Sequence, residues 1–330
     1  MLDDQSILVT GGTGSFGHKF VERTLSKYSP RKIIIFSRDE MKQWEMSKKY
    51  KDDDRVRFFI GDVRDKDRLK RALDRVDVLI HAAANKIVPI AEYNPFEVIK
   101  TNILGAMNVI DACLDTGVKR VVALSTDKAS SPVNLYGATK LASDKLFVSA
   151  NSYSGASGTK FSVVRYGNVM GSRGSVIPIF IDAVGSGLVP ITDPRMTRFM
   201  ITLSQGIDLV YRSLVDMQGG EIYVRKIPSM NIMDIAKAIA PRCNTEIIGV
   251  RPGEKLHEQM IGVEDSEFTY EYDEYFKIIP FSETGKAVSQ FIKGGRKVPE
   301  GFSYTSDKNA SIMSQQMLRS WLKKAYNFVP

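Results

Sequence analysis

The sequence predicts an α/β fold in which helices cover both faces of a parallel sheet. Two observations support this prediction. Short apolar runs rich in Val and Ile alternate with helix-like segments from the N-terminus to about Tyr166, and a glycine-rich turn follows the first of these runs. Such alternation of strands and helices is typical of doubly wound parallel sheets, whose strands are buried on both faces.

The predicted elements follow one another along the chain. The first strand, residues 6–10, precedes the glycine turn and an amphipathic helix of roughly residues 15–26. Further buried strands are predicted at residues 32–37, 55–60, 76–81, 119–125 and 161–166. Beyond Tyr166, prolines and glycines divide the chain into shorter elements. The acidic and aromatic run at residues 270–275 is predicted to be partly exposed, and residues 282–308 are predicted to be rich in loops.

Composition and charge argue against several classes of protein. The chain has 330 residues, of which 43% are hydrophobic and 25% charged, as in ordinary globular proteins. Its two cysteines, Cys113 and Cys243, are too few and too far apart for a disulfide framework or a metal cluster, so we predict no metal. The chain lacks an apolar run of about 18 residues and a signal peptide, so we expect a cytoplasmic protein with no membrane partner. Lys and Arg are scattered among Asp and Glu despite a formal charge of +8, which argues against nucleic acid, and a small dianionic ligand explains the charge equally well.

The glycine-rich turn has the spacing of a dinucleotide-binding motif. Gly11, Gly14 and Gly17 come directly after the first strand and open the first helix. Small residues there let the backbone approach a pyrophosphate, whose charge is met by the helix N-terminus. A simple tight turn would also use glycines, but it would not need a strand before it and a helix after it. The turn therefore predicts a Rossmann-type domain that binds a dinucleotide.

Residues after the second strand bear on the choice between NAD and NADP. An NAD enzyme places an acid about 20 residues past the glycines, where it binds the ribose 2′-hydroxyl. This chain has Ser37 and Arg38 there, which suit a 2′-phosphate, so NADP is favoured. Asp39 and Glu40 follow directly, and in the alternative interpretation Arg38 is a surface charge paired with them. Asp62, after the third strand, is placed to contact adenine or, alternatively, to cap the next helix.

Titratable residues converge at the end of the fifth predicted strand. Thr126, Asp127 and Lys128 lie at the sheet edge where open α/β sheets bind ligands. Tyr136 and Lys140 are four residues apart at the start of the next helix, so they share one helix face. A lysine ammonium held there would stabilise tyrosinate, which predicts a pKa of the Tyr136 phenol below its ordinary value of about 10. In the alternative interpretations Tyr136 is a core aromatic, and Asp127 and Lys128 form a surface ion pair.

These motifs resemble those of extended short-chain dehydrogenases/reductases that act on nucleotide sugars. More narrowly, the chain is similar from about Leu8 to Asn309 to the inverting UDP-N-acetylglucosamine 4,6-dehydratases that open pseudaminic acid and related sugar pathways. The segments that carry the similarity are 37–40 (SRDE), 81–84 (HAAA), 88–95 (VPIAEYNP), 125–128 (STDK), 165–169 (RYGNV), 196–199 (MTRF) and 251–255 (RPGEK). Lys128 marks the inverting group, because relatives that dehydrate dTDP-glucose with retention carry glutamate after the Thr-Asp pair and 4-epimerases lack the acid/base pair. Asn85 departs from the family, which usually has an apolar residue before the counterpart of Lys86.

The resemblance implies an NADP-dependent 4,6-dehydration of UDP-N-acetylglucosamine with inversion at C5, giving a UDP-2-acetamido-2,6-dideoxy-4-hexulose of β-L-arabino configuration. In that cycle Tyr136 removes the proton of the sugar 4-hydroxyl, Thr126 orients this hydroxyl, and Lys140 holds the ribose. Lys128 takes the C5 proton, and Asp127 assists loss of the 6-hydroxyl as water. Two alternatives stay open: a UDP-N-acetylhexosamine 4-epimerase, which would not use Lys128, and a nonenzymatic NADP-binding regulator of the same fold.

The resemblance also implies binding residues and an assembly. The implied cofactor contacts are Gly11, Thr13, Gly14, Ser15, Phe16, Gly17, Ser37, Arg38, Glu40, Lys42, Asp62, Val63, Ala82, Ala84, Tyr136, Lys140 and Val169. The implied substrate contacts are Lys86, Asn168, Thr197, Arg198, Arg251, Glu254 and Asn309. A homo-oligomer is implied as well, a hexamer or alternatively a dimer. We expect an NADP-binding Rossmann domain of residues 1–165 plus about 200–226, and a smaller, mainly C-terminal substrate-binding region of about 166–199 and 227–330.

Overall fold

The computed structural model describes residues 1–172, 174–281 and 288–329. Their strands are β1 (Ser6–Thr10), β2 (Lys32–Ser37), β3 (Val56–Ile60), β4 (Val78–His81), β5 (Arg120–Thr126), β6 (Lys160–Tyr166), β7 (Leu188–Ile191), β8 (Thr197–Phe199), β9 (Ile222–Arg225), β10 (Ser229–Asn231), β11 (Asn244–Ile247), β12 (Gln259–Ile261), β13 (Thr269–Glu271), β14 (Tyr275–Ile278), β15 (Arg296–Lys297) and β16 (Tyr304–Thr305). Their α-helices are α1 (Ser15–Lys27), α2 (Glu40–Lys49), α3 (Lys66–Ala72), α4 (Val88–Tyr93), α5 (Pro95–Ile99), α6 (Gly105–Thr116), α7 (Leu135–Ser149), α8 (Val176–Ala183), α9 (Leu203–Asp216), α10 (Ile232–Ile239), α11 (Val288–Ile292) and α12 (Gln315–Tyr326). A π-helical turn, Lys100–Leu104, joins α5 to α6, and a 3-10 turn, Asp127–Ala129, follows β5.

The parallel part of the main sheet has the strand order β3-β2-β1-β4-β5-β6-β9. The order reverses at β1, which pairs with β2 on one side and with β4 on the other. Open α/β sheets bind ligands in the crevice outside the carboxyl ends of the strands at such a reversal. The predicted Rossmann-type α/β fold is confirmed, and the strands predicted from the sequence lie within two residues of the observed ones.

Consecutive apolar residues in β1 show how helices cover both faces of the sheet. Leu8 packs in a core to which α3, α6 and α7 contribute, whereas Ile7 and Val9 pack in a core to which α1 and α9 contribute. All three side chains are fully buried. Because successive side chains in a strand point to opposite faces, a strand covered on both faces reads as a continuous apolar run.

Past β9 the sheet continues with three antiparallel strands, which the sequence does not predict. β14 pairs with β9, β13 with β14, and β15 with β13. Residues 270–275 are partly exposed as predicted, but they belong to the β13–β14 hairpin of the main sheet. The ring of Tyr275 stacks on that of Tyr272 and packs against Tyr223 of β9, and these aromatic contacts attach the hairpin. Of the stretch predicted to be rich in loops, residues 282–287 lie outside the described residues, and the rest contains α11, β15 and β16.

A separate apolar core lies in the later part of the chain. Phe180 of α8, Ile235 of α10 and Leu318 of α12 pack together there with Val189 of β7. The two-stranded sheets β10-β8, β11-β7 and β12-β16 connect segments of the later part of the chain. β12 also contacts the 3-10 turn after β5. A segment far along the chain is thereby held against the carboxyl end of the parallel sheet.

Candidate active site

A cleft of about 950 Å³ lies along the carboxyl ends of the parallel strands. The predicted cofactor residues that line it are Gly11, Thr13, Gly14, Ser15, Phe16, Ser37, Arg38, Lys42, Asp62, Val63, Ala82, Ala84 and Val169. It is also lined by Thr126, Asp127, Lys128, Tyr136 and Lys140, and by Lys86, Asn168, Arg198, Arg251 and Glu254. Of the residues predicted for the site, the structure places Gly17, Glu40, Thr197 and Asn309 outside the lining.

The glycine turn forms a cradle that side chains would fill. Gly11 has a φ of +64°, and a Cβ there would lie 2.9 Å from the carbonyl oxygen of Ala82. A Cβ on Gly17 would lie 2.1 Å from the carbonyl oxygen of Gly12, so helix α1 packs directly on the turn. The N-cap of α1 is Gly14, which has no side chain to occupy the first amides, and the first turn carries no acidic residue. These amides are available to an anion, and the cradle fits the pyrophosphate of a dinucleotide.

Arg38, Asp39 and Glu40 are adjacent in the sequence, but in the structure the charged side chains of Arg38 and Asp39 make different contacts. Asp39 caps helix α2 by accepting a hydrogen bond from the Lys42 amide (3.0 Å), and it pairs with Lys42 Nζ at 2.7 Å. Glu40 is the first residue of that helix. The Arg38 side chain is 61% exposed and pairs with Asp62 at 3.8 Å. The structure therefore pairs Arg38 with Asp62 rather than with Asp39 or Glu40, contrary to the alternative interpretation.

Asp62 is engaged by a neighbouring arginine. Its Oδ2 accepts a hydrogen bond from Arg64 Nη2 at 2.7 Å, and its Oδ1 accepts one from the Arg64 amide at 3.0 Å. Burial opposes ionisation of Asp62, but the hydrogen bonds from Arg64 outweigh it and lower the pKa of this carboxyl. Helix α3 is capped by Asp65, whose side chain accepts a hydrogen bond from the Arg68 amide at 2.9 Å. The interpretation of Asp62 as the cap of this helix is therefore wrong.

Thr126, Asp127 and Lys128 form a hydrogen-bonded group at the end of β5. Asp127 Oδ1 accepts hydrogen bonds from Thr126 Oγ1 at 2.8 Å and from Lys128 Nζ at 3.1 Å. The Asp127 side chain is 1% exposed and that of Lys128 is 24% exposed. Asp127 Oδ2 is buried and has no hydrogen-bond partner within the described part of the chain. The interpretation of this pair as a surface ion pair is therefore wrong, because the Asp127 carboxylate is buried. Its burial carries a desolvation cost that a surface pair does not have.

Helix α7 brings Tyr136 to this group because one residue of its first turn is glycine. The helix is capped by Asn134, whose side chain accepts a hydrogen bond from the Gly137 amide at 2.8 Å. A Cβ on Gly137 would lie 2.3 Å from the carbonyl oxygen of Lys128, so the absent side chain lets the helix contact the 3-10 turn. Tyr136 and Lys140 are both buried and both line the cleft. Thus the two residues predicted to share one helix face do approach the end of β5 together.

The electrostatic effects on Tyr136 differ from the expectation drawn from the sequence. Burial raises the pKa of Tyr136 to about 12, and the charge of Lys128 opposes this shift. Burial also lowers the pKa of Lys140. The prediction that Lys140 lowers the pKa of the phenol is therefore wrong for the polypeptide itself. Burial alone would lower the pKa of Lys128, but the carboxylates of Asp127 and Glu258 outweigh it, so that the pKa of this ammonium is raised.

The cations among the predicted substrate contacts come from three separate segments. Lys86 follows β4, Arg198 lies in β8, and Arg251 lies in the loop after β11. The Arg251 side chain is 59% exposed and 4.0 Å from the carboxylate of Glu254, whereas that of Arg198 is 14% exposed and donates to two main-chain carbonyls. Asn168, just after β6, has a buried side-chain oxygen without a hydrogen-bond partner among the described residues. The cleft therefore offers an exposed guanidinium and an unsatisfied amide to an anionic, hydroxyl-rich ligand.

Two of the predicted substrate contacts hold protein segments together instead. The Thr197 hydroxyl bonds to His257 Nδ1 at 2.8 Å and to the Ser306 hydroxyl at 2.6 Å. Asn309 Nδ2 donates to the carbonyl oxygen of Ile227 at 2.8 Å. Both side chains thus connect segments that are distant in the sequence.

Glu258 is a cleft residue that sequence reasoning missed. It precedes β12, it is 3% exposed, and its Oε1 lies 3.3 Å from Lys128 Nζ and 3.7 Å from Arg198 Nε. Its Oε2 is buried without a hydrogen-bond partner in the described part of the chain. The segment predicted to contact substrate ends at Lys255, and no spacing rule connects Glu258 to a lysine 130 residues earlier. Its closeness to that segment was the available signal.

Asn85, which departs from the family pattern, anchors the loop that carries Lys86. The main-chain amide of Asn85 donates to Asn102 Oδ1, and Asn102 Nδ2 donates to the main-chain carbonyl oxygen of Asn85, each at 2.9 Å. Asn102 also donates to Thr139 Oγ1 of helix α7 at 3.0 Å. Because Asn102 belongs to the π-helical turn before α6, this turn fixes the Lys86 loop relative to the helix that carries Tyr136.

The described residues contain neither a cluster of metal-ligating side chains nor a helix that could span a membrane. Among residues 1–172, 174–281 and 288–329, no group of three or more His, Cys, Asp or Glu side chains is placed to hold a metal ion. Within the same residues, no helix combines the length and the apolar character needed to cross a bilayer.

Comparison with known proteins identifies close relatives. The family described as polysaccharide biosynthesis protein matches residues 7–280. The inverting UDP-N-acetylglucosamine 4,6-dehydratase of Campylobacter jejuni subsp. jejuni serotype O:23/36 (strain 81-176) is 55% identical over 325 residues, which cover 96% of this chain and 97% of that protein. The X-ray structure of Pen from Bacillus thuringiensis superposes with a TM-score of 0.88 at 34% identity, over 98% of this chain and 99% of that one. The UDP-glucose 4-epimerase of Thermus thermophilus, solved in complex with NAD, gives a TM-score of 0.62 at 26% identity over 76% of this chain and 88% of that one.

Proposed function

The chain belongs to the polysaccharide biosynthesis protein family and, within it, to the inverting UDP-N-acetylglucosamine 4,6-dehydratases, and we propose on this premise that it is a carbon–oxygen lyase acting on UDP-N-acetylglucosamine. The reaction removes water across C5 and C6, inverts C5 and gives the UDP-linked 4-keto-6-deoxy sugar of β-L-arabino configuration. Such a product suits pathways of the pseudaminic acid type. The single observation that carries the proposal is the Lys128 ammonium 3.1 Å from the buried Asp127 carboxylate inside the cleft.

The elimination needs one acid and one base, and this pair supplies both. Lys128 accepts the C5 proton as the C5–C6 double bond forms, and Asp127 donates a proton to the 6-hydroxyl, which leaves as water. The reactive state therefore has a neutral amine and a protonated carboxyl. It arises when one proton passes from Lys128 to Asp127, so the pair needs no net proton from solvent. The unpartnered Oδ2 of Asp127 supports its role as the acid.

Tyr136 acts on the 4-hydroxyl before this elimination. As the phenolate, Tyr136 takes the proton of that hydroxyl, and Thr126 orients the hydroxyl from the end of β5. The raised pKa of the phenol in the polypeptide, about 12, means that Tyr136 needs further positive charge beside it to work as a base near neutral pH. Lys128 already acts in this direction, and Lys140 is placed to hold the ribose one helical turn away.

The cofactor that fits the cradle is a nicotinamide dinucleotide, and we propose NADP. When bound, this cofactor would supply positive charge and the reversible hydride chemistry that oxidation at C4 and reduction at C6 of the sugar require. Arg38 and Lys42 line the cleft at the end of β2, and Arg38 is largely exposed. Asp39 already caps α2 and pairs with Lys42, so its carboxylate is engaged and is not left to bind a ribose hydroxyl. This charge distribution favours a 2′-phosphate.

The substrate contacts follow from the remaining cleft residues. We assign Lys86, Arg198 and Arg251 to the diphosphate and sugar, because cationic forks and ammonium groups bind these oxygens well. Asn168 and Glu254 complete the set. Thr197 and Asn309, which the resemblance also implied, connect protein segments outside the cleft lining, so their proposed contribution is structural.

The nearest rival is a 4-epimerase, which shares the fold and the Tyr136–Lys140 pair. The buried Asp127–Lys128 pair favours the dehydratase, because epimerisation at C4 has no use for a second acid and base near C5 and C6. A nonenzymatic regulator would need neither pair.

We also propose that the chain assembles as a homo-oligomer. Helices α4 and α5 expose Ile90, Tyr93 and Phe96, with 54%, 87% and 76% of each residue accessible. Exposed aromatic and aliphatic residues in one short stretch support burial against another copy of the chain. Light scattering after gel filtration decides the state, and a monomer at micromolar concentration would contradict this assembly.

The decisive experiment is incubation of the protein with UDP-N-acetylglucosamine and NADP+ in deuterated water, followed by NMR. We expect loss of water, deuterium at C5 and at most little free NADPH, since hydride returns to the sugar. An unchanged sugar, or a C4 epimer without loss of water, would reject the proposal.

A further inference from the structure

A second carboxylate, that of Glu258, holds the lysine of the acid/base pair. Lys128 Nζ lies 3.1 Å from Asp127 Oδ1 and 3.3 Å from Glu258 Oε1, so the ammonium is shared between two buried acids from distant segments. We infer that Glu258 is a positioning residue, which fixes Lys128 beside Asp127 and governs how readily this lysine gives up its proton. The inference rests on the proposed dehydratase function.

The position of Glu258 is determined by its main chain. The Glu258 amide donates to Ser306 Oγ at 2.9 Å, and the Ser306 amide donates to the Glu258 carbonyl at 2.8 Å. The Ser306 hydroxyl is in turn bonded to Thr197, which also bonds His257. Because both sides of the residue are fixed in this way, its side chain presents the carboxylate to Lys128 without adjustment of the loop.

A purely structural ion pair explains this arrangement less well. Glu258 and Asp127 are both buried, and each keeps one carboxylate oxygen without a hydrogen-bond partner among the described residues. Two incompletely satisfied carboxylates around one ammonium are costly for stability, since each loses hydration that its partners do not fully replace. Buried charged side chains that perturb one another's ionisation inside a cleft, at a cost to stability, are typical of functional sites.

The charged and titratable groups that face Lys128 come from several elements. Asp127 and Glu258 are acidic, Arg198 of β8 and Lys255 are cationic, and Tyr136 of α7 is neutral near pH 7. The two acids favour the ammonium form of Lys128, whereas Arg198, Lys255 and burial oppose it. Loss of the Glu258 charge therefore leaves Asp127 as the one acid beside the three cations Lys128, Arg198 and Lys255. Lys128 will then release its proton at lower pH, because one of the two carboxylates that raise its pKa is gone.

The test is the pH dependence of kcat/KM for UDP-N-acetylglucosamine with Glu258→Gln, which removes the charge and keeps the shape. The reactive unit holds one proton, so both the gain of a second proton and the loss of the first limit activity. Without the Glu258 charge, the lower and the upper pH limits of activity both move to lower pH. We expect the whole pH profile to shift by about 1 pH unit toward acid. We also expect kcat at the optimum to fall about 10-fold or more, because Lys128 loses one of its two anchors, while KM changes little.

The matched control is Glu267→Gln, the same change at an exposed glutamate nine positions further along the chain. It should leave both profile and kcat as they are. An unshifted profile in Glu258→Gln, or an equal shift in the control, would overturn the inference. If the wild-type protein itself releases no water from UDP-N-acetylglucosamine, the proposed function fails instead, so the two failures are distinct.

Glu258→Asp provides a second, independent measurement, including the case in which Glu258→Gln does not fold. This variant keeps the negative charge but shortens the side chain by one methylene, which moves the carboxylate away from Lys128. We expect a lower kcat with a profile closer to that of the wild type. A kcat and a profile both equal to those of the wild type would show that the position of this carboxylate is unimportant, which also overturns the inference.

Discussion

The two ends of the cleft are built in different ways. The phosphate-binding part of the cofactor end is local: the glycine turn follows β1 directly, and Thr13 bonds to Ser37 only 24 residues further along. The chemical end is assembled from distant segments, because Lys128 meets Glu258 across 130 residues and Arg198 comes from yet another strand. A local site can be recognised from spacing, whereas an assembled site depends on the whole fold. Mutations should therefore affect the two ends through different observables.

The largest effect is expected at the chemical end, from Lys128→Ala. Removal of a general base should lower turnover by on the order of 100-fold or more, with NADP+ binding intact. Water loss measured by NMR reports turnover, and calorimetry reports NADP+ affinity, so the two effects can be distinguished. Lys323→Ala, an exposed lysine on α12, is the control. Turnover within a few-fold of the wild type in Lys128→Ala would mean that the assembled end does not perform the chemistry.

The cofactor end should respond in stability, and Gly17→Ala tests this. A methyl group there would lie 2.1 Å from the carbonyl oxygen of Gly12, so helix α1 has to move. We expect a loss of about 1–3 kcal/mol in the free energy of unfolding, as for other overpacked sites. Denaturant unfolding of Gly185→Ala gives the comparison, since a Cβ at Gly185 meets nothing within 4 Å. Equal stabilities of the two variants would contradict the close packing of the cradle.

Arg38→Ser should alter cofactor choice with little effect on the fold. The side chain is 61% exposed, and a charge-assisted hydrogen bond to a 2′-phosphate is its proposed role. We expect about 10-fold weaker binding of NADP+. Affinity for NAD+, measured on the same variant, is the internal control and should hardly change. A parallel loss for both dinucleotides would assign Arg38 to a part that they share.

The smallest effect on catalysis is expected from Asn309→Ala. Its amide bonds the Ile227 carbonyl outside the cleft, so we expect KM to change by less than about 2-fold and the free energy of unfolding to fall by about 1 kcal/mol. Asn168→Ala is the matched comparison, because its side-chain oxygen is unpartnered among the described residues and lines the cleft. A KM that rises more in Asn309→Ala than in Asn168→Ala would place substrate near the C-terminal segment.

Much of the parallel sheet could be predicted because each strand is a short, continuous apolar run. The antiparallel strands β13, β14 and β15 were missed, since runs of two to four residues with mixed polarity carry little periodic signal. Lys128 was found from the sequence because it stands next to Asp127. Glu258 was missed because a pair separated by 130 residues leaves no local trace. The direction of the Tyr136 pKa was also missed, since burial cannot be judged from the i, i+4 spacing to Lys140.

The short final strand has a consequence for how the chain behaves at high concentration. An open edge offers unpaired amides and carbonyls on which a second molecule can add a strand and begin to aggregate. Among the described residues, β15 is the edge strand of the sheet beyond β13; it is two residues long, and both residues, Arg296 and Lys297, are exposed. Arg296 is paired with Glu271, but the Lys297 side chains of two such edges would repel each other, and a strand of two residues offers an added strand few hydrogen bonds. This border of the sheet therefore protects the protein against strand-by-strand self-association.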